Sequence, residues 1–102
     1  MKSINLKGTF DTPNIIFDQS EGVFEISGRS LPENAYSFYK PILDWLDEYK
    51  KEPNTETVLH VKLEYFNTAS SKALLDIFTR LEGLSGAKIA WHYMHDDEDM
   101  QE

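Results

Sequence analysis

Leu63-Glu64-Tyr65-Phe66-Asn67-Thr68-Ala69-Ser70-Ser71-Lys72-Ala73-Leu74-Leu75-Asp76-Ile77 is the stretch that decides the fold. An alternating apolar run, the period of a half-buried strand, stops at Asn67. A few residues later the apolar positions recur at helical spacing. Between the two lie an Asn, a Thr and two Ser, the small polar residues that begin helices. A strand therefore feeds a helix through a junction rich in hydroxyls. Such a junction can cap the helix and nothing more. It can also present a hydroxyl for phosphorylation, because backbone N–H groups and the helix dipole favour an anion there.

Working outward, the strand spans Val58 to Phe66. Leu59, Val61, Leu63 and Tyr65 alternate on one side with His60, Lys62 and Glu64 on the other, so one face is buried and the other is at least partly wet. The helix after the junction runs from about Ser70 to Leu84, with Ala73, Leu74, Ile77, Phe78 and Leu81 inside and Gly83 and Gly86 ending it. Ala87 to Met94 is a last strand, followed by the acidic run Asp96-Asp97-Glu98-Asp99-Met100-Gln101-Glu102.

Upstream, Ala35, Phe38, Tyr39, Ile42, Trp45, Leu46 and Tyr49 mark another amphipathic helix. Pro41 falls inside it and predicts a bend, or a split near Phe38. Gly28-Arg29-Ser30-Leu31-Pro32-Glu33-Asn34 reads as the loop before it, with Pro32 in the first helical turn and Glu33 adding negative charge there. Val23–Ser27 and Asn14–Asp18 form an antiparallel hairpin around Gly22, and Lys2–Lys7 is a short first strand. The order is β-β-β-α-β-α-β. Two right-handed β-α-β crossovers running the same way place both helices on one face. The expected fold is α/β (α+β), a two-layer sandwich with a mixed sheet. One domain is expected over 1–95, with 96–102 as its acidic end.

Composition narrows the function. The chain has 102 residues, 40% hydrophobic, with a formal charge of −8 and no cysteine. That suits one globular core and excludes disulfides, zinc–thiolate sites and thiol catalysis. The acidic balance argues against nucleic acid, whose binding draws on clustered Lys and Arg. The N-terminus lacks the apolar core of a signal peptide, and no run is long enough to span a bilayer. A cytoplasmic protein without membrane insertion is expected.

Catalytic constellations are missing. Ser70 and Ser71 have no Gly-x-Ser-x-Gly elbow and no sequence-placed His to activate them. His60 lies on the polar side of its strand, where a solvated or neighbour-bonded His is the plain reading. His92 and His95 fall on opposite faces of an extended strand and make a weak metal pair. The acidic end lacks the glycine turn and ligand spacing of a calcium loop. Gly28-Arg29-Ser30 is no phosphate loop. No cofactor or metal is expected, and a small metal-dependent enzyme using His60, His92 or His95 is the weakest reading. At the junction, a phosphoryl group on Thr68 would add about −1.5 to −2 charge, with Lys72 one turn on. The plainer alternative makes Thr68 or Ser70 only an N-cap worth about 1 kcal/mol.

Thr12-Pro13, Gly28–Asn34, Leu63–Ile77 and Trp91-His92-Tyr93, in that order, resemble the SiaC family of bacterial regulatory phosphoproteins. Asn67-Thr68-Ala69-Ser70-Ser71-Lys72-Ala73 is the most specific segment. The resemblance implies a fold similar to STAS domains and anti-sigma-factor antagonists. It implies a threonine, here Thr68, phosphorylated by a dedicated kinase and dephosphorylated by a PP2C-type phosphatase. It further implies that the unphosphorylated form binds and activates a diguanylate cyclase, raising cyclic di-GMP and promoting biofilm formation. Asn67, Ala69, Ser70, Ser71 and Lys72, with Arg29, Glu33 and Asn34, are the candidate kinase and partner contacts. A partner-switching protein acting on transcription, as anti-sigma-factor antagonists do, is the alternative. One departure accompanies the resemblance. Family members usually continue past the acidic segment, whereas the sequence stops at Glu102, and any partner contact made by that further element is not carried over.

Overall fold

Alternation of apolar and polar residues builds one sheet, and helical periodicity builds the layer that covers it. The computed structural model describes residues 2–92. The elements are β1 (Ile4–Leu6), β2 (Asn14–Asp18), β3 (Val23–Ser30), α1 (Ala35–Tyr49), β4 (Thr57–Phe66), α2 (Thr68–Glu82) and β5 (Ala87–Trp91). Their order along the chain is the expected one. The sheet follows the same order, β1-β2-β3-β4-β5, which the residue pattern alone left open. β1, β2 and β3 pair antiparallel, and β3, β4 and β5 pair parallel.

Register sets the inner face. Ile15 lies opposite Ile26, Phe17 opposite Phe24, Ile26 opposite Val61 and Leu59 opposite Ile89. All but Ile89 are buried, together with Tyr39, Ile42, Leu46 and Tyr49 of α1 and Leu74, Ile77 and Leu81 of α2. Each such side chain contributes roughly 1.5–3 kcal/mol by leaving water. Because both crossovers run the same way along the sheet, α1 and α2 share this face and pack on each other. Among the described residues the opposite face carries no helix, and it displays Glu25 paired with Lys62 across β3 and β4, 3.2 Å apart.

Several expectations are corrected. Gly28-Arg29-Ser30 is not a loop. β3 runs through it to Ser30, with Gly28 at φ 95° and the β3–β4 register shifting between Gly28 and Arg29. Leu63 lies opposite Gly28 but Tyr65 lies opposite Arg29, so β4 carries one extra residue, Glu64. Such a bulge reverses the alternation beyond it. Tyr65, expected inside, is 58% exposed on the open face, while Phe66 turns inward to meet Trp91 edge-on.

α1 is continuous across Pro41, neither split nor interrupted at Phe38. Pro41 is exposed, so the Ser37 carbonyl that it cannot serve lies on the wet side of the helix. Pro32 and Glu33 precede α1 rather than forming its first turn. The cap is Asn34, whose side chain accepts from Ser37 N–H. α2 begins at Thr68, two residues before the expected Ser70. β5 ends at Trp91 among the described residues, and Tyr93, Met94, His95 and the acidic run lie outside them.

Candidate functional site

The junction between β4 and α2 is held by Asn67. Its backbone is extended, and its side-chain oxygen accepts the Ser70 N–H at 2.8 Å. Its own N–H donates to the Ser30 carbonyl at 3.0 Å, and its side-chain amide reaches the Pro32 carbonyl at 3.4 Å. The N-cap is therefore Asn67, and the reading of Thr68 or Ser70 as the cap is overturned. Asn serves because its carbonyl reaches back one turn while its backbone continues the strand.

Ser70 is fully buried and its hydroxyl is engaged. It donates to the Ser30 carbonyl at 2.9 Å and accepts from Ser30 Oγ at 2.8 Å. Ser30 Oγ lies 2.6 Å from the Tyr39 hydroxyl of α1. Each hydroxyl has one proton, and Ser30 gives its own to Ser70, so Tyr39 must donate to Ser30. The result is a directed chain from Tyr39 through Ser30 and Ser70 to the Ser30 carbonyl. It joins α1, the end of β3 and the first turn of α2. Burial pushes the Tyr39 phenol up from its ordinary pKa, and the hydrogen bond to Ser30 offsets part of that.

Thr68 is the first residue of α2 and is exposed. Its hydroxyl bonds none of the described residues. Ser71 is exposed too, but its hydroxyl donates to the Thr68 carbonyl at 2.7 Å. No acidic residue occupies the first turn of α2, and the N–H groups of Thr68 and Ala69 are among those a helix cannot satisfy internally. Of the junction's three hydroxyls, one is buried, one is bonded to backbone and one stands open to an incoming group. Added negative charge at the open one meets the positive end of the helix dipole.

The structure gathers part of the predicted set around this point. Glu33, Asn34, Ala69 and Lys72 line a shallow groove of about 480 Å³ between the first turns of α1 and α2, with Tyr36 and Asp76. Lys72 is exposed one turn beyond Thr68. Arg29 stands apart. It lies on the sheet face away from the helices, opposite Tyr65, with its guanidinium 4.6 Å from the Phe10 ring centroid.

Sequence reasoning missed two arrangements. The hydroxyl chain was one, since periodicity puts Tyr39 and Ser70 inside but says nothing of hydroxyls meeting. The other is His60 Nδ1 and His92 Nε2, 2.8 Å apart on the open face of β4 and β5. Their proximity follows from the Val61–Trp91 register, which brings flanking polar positions together. Among the described residues no group of three or more His, Cys, Asp or Glu side chains could hold a metal ion. His95 lies outside those residues.

Comparison with known proteins agrees with this architecture. The model of the SiaC family of regulatory phosphoproteins matches residues 6–102. An uncharacterised protein of Pseudomonas aeruginosa is 32% identical over all of this chain and 84% of its own length. The crystal structure of apo-SiaC from Pseudomonas aeruginosa superposes with a TM-score of 0.89 at 30% identity, covering 98% of this chain and 86% of that one. A crystal structure of the diguanylate cyclase SiaD in complex with its activator SiaC, from the same organism, superposes with a TM-score of 0.85 at 29% identity. It covers 96% of this chain and 84% of that one.

Proposed function

The chain belongs to the SiaC family of regulatory phosphoproteins, and we propose that it is a phosphorylation-switched adaptor with Thr68 as the acceptor. In this reading the unphosphorylated form binds and activates a diguanylate cyclase. A cognate kinase closes the switch and a PP2C-type phosphatase reopens it. The protein then acts in the cytoplasm as a regulator and not as an enzyme. Among the described residues, no helix is long and apolar enough to cross a membrane.

The observation that carries the assignment is the inequality of the three hydroxyls. Ser70 would have to leave the core, breaking its bonds to Ser30, before any kinase reached it. Thr68 needs no such opening. A phosphate there adds about −1.5 to −2 charge at a helix N-terminus, which stabilises it locally, while a partner resting on the same surface meets repulsion and a desolvation cost. The complex of SiaD with its activator supports a cyclase as the effector, although that partnership belongs to the Pseudomonas proteins.

Phosphopeptide mapping after incubation with kinase and ATP should place phosphate on Thr68 alone. Thr68→Ala should fold and keep cyclase binding, whereas Thr68→Asp should weaken it by about tenfold or more. Phosphate on Ser71 with Thr68 untouched, or equal affinity of all three forms, would reject the assignment.

A further inference from the structure

Among the described residues Arg29 is a cation without a carboxylate partner, in an acid-rich protein. The chain holds 18 Asp and Glu against 10 Lys and Arg. Lys40, Lys50, Lys51, Lys62 and Arg80 each sit within 3.5 Å of a carboxylate. The Arg29 Nε is buried and finds no hydrogen-bond acceptor among the described residues either. The Nε is closed to solvent, so an acceptor arriving from outside meets the guanidinium at its terminal N–H groups. Arg29 as a whole is only half-buried, which leaves its guanidinium reachable from the open face of the sheet.

Its neighbours are apolar and exposed. Phe10, 75% exposed, stacks against the guanidinium, and Tyr65, 58% exposed, lies opposite Arg29 in the neighbouring strand. Tyr65 is there because the bulge turns it out of the core. Without the extra residue it would point inward with Leu63. Tyrosine and arginine dominate the binding energy of protein interfaces, and arginine grips carboxylates through two parallel N–H bonds.

We propose that Phe10, Arg29 and Tyr65 form a docking surface for a protein segment that carries a carboxylate beside an apolar side chain. The carboxylate takes the guanidinium, and the apolar side chain packs on the two rings. The surface deepens the adaptor reading, since it supplies a partner contact on the face opposite the Thr68 groove, and it rests on that reading for its biological role.

The test is a titration of the full chain, uniformly ¹⁵N-labelled, with blocked hexapeptides of alternating Leu-Glu, Leu-Gln or Leu-Lys. The Leu-Glu peptide should shift the Arg29 Nε–H and the amides around residues 28–30 and 64–66. Arg29→Gln should weaken that binding by about tenfold or more, Arg29→Lys by less, and Tyr65→Ser should weaken it with the charge intact. Equal shifts from all three peptides, no shifts at all, or shifts that survive Arg29→Gln would overturn the proposal. Inorganic phosphate shifting the same signals as strongly as the peptide would overturn it too, in favour of a phosphate site. Kinase and cyclase take no part in this measurement. Its failure removes the surface and leaves the Thr68 switch standing, while failure of the phosphorylation test leaves this result untouched.

Discussion

Tyr39, Ser30 and Ser70 show how single protons can be placed by counting. With Ser70 donating to the Ser30 carbonyl and Ser30 donating to Ser70, only Tyr39 is left to donate to Ser30. The direction makes the three positions unequal. Tyr39→Phe removes a donor and leaves every remaining hydroxyl with an acceptor, a loss of about 1 kcal/mol. Ser30→Ala strands the buried Tyr39 hydroxyl without an acceptor and should cost about 1–3 kcal/mol. Urea unfolding of the two variants checks this, and equal losses would mean the chain runs otherwise. Tyr39 also carries a pH signature. Burial raises its pKa above 10.0, so the folded protein keeps the proton longer than the unfolded chain does. That contribution is intact below about pH 10 and disappears as pH rises through the folded value. Wild type should therefore lose stability at alkaline pH more steeply than Tyr39→Phe, as read from melting temperatures between about pH 8 and about pH 11.

At the scale of elements, two local devices position the site: the Asn67 cap and the Gly28 bulge. Asn67→Ala removes the acceptor for Ser70 N–H and should destabilise the protein by about 0.5–2 kcal/mol. Gly28→Ala places a side chain at φ 95° with its Cβ 3.3 Å from the Asn14 side-chain nitrogen, so it should cost more than about 1 kcal/mol. Both are measurable by denaturant unfolding, and a neutral Gly28→Ala would show that the bulge tolerates an ordinary residue. These two devices also mark where the sequence was legible. Periodicity located both helices, the strands up to the bulge and the inner faces apart from Tyr65, because a buried stripe is written in each segment's own residues. The bulge is a property of two paired strands, and Glu64 gives no local sign that it lacks a partner. Gly28 and the residues after it looked like a loop because Gly, Ser and Pro are breakers wherever no neighbouring strand overrules them. The start of α2 was misjudged for a related reason. Four small polar residues compete for the cap, and only the backbone direction entering from β4 gives it to Asn67. Thr68 is named on the family pattern alone, and the difference in exposure between it and Ser70 appears only with the burial that the fold imposes.

For the whole molecule, the question raised by the proposed switch is whether a phosphate placed at Thr68 would act through the protein's overall field or through the surface it occupies. The chain already carries −8, and a phosphate adds about −1.5 to −2, a modest increment to a strongly acidic body. Any acidic partner is repelled by that body in both states, and salt screens such repulsion over a Debye length of about 8 Å at physiological ionic strength. The local effect is different in kind. A phosphate beside the first turn of α2 must be desolvated or displaced by whatever rests on that turn, and contact terms of this sort are screened far less than exposed charges are. The affinity of each form for the cyclase should change with salt, since both share the same body charge. The ratio of the two affinities should hold nearly constant, within about twofold between roughly 0.05 M and roughly 0.5 M salt. Isothermal titration of phosphorylated and unphosphorylated protein across that range gives the ratio directly. A ratio that collapses toward one at high salt would assign the switch to long-range repulsion, and the N-terminal turn of α2 would lose its place as the contact surface.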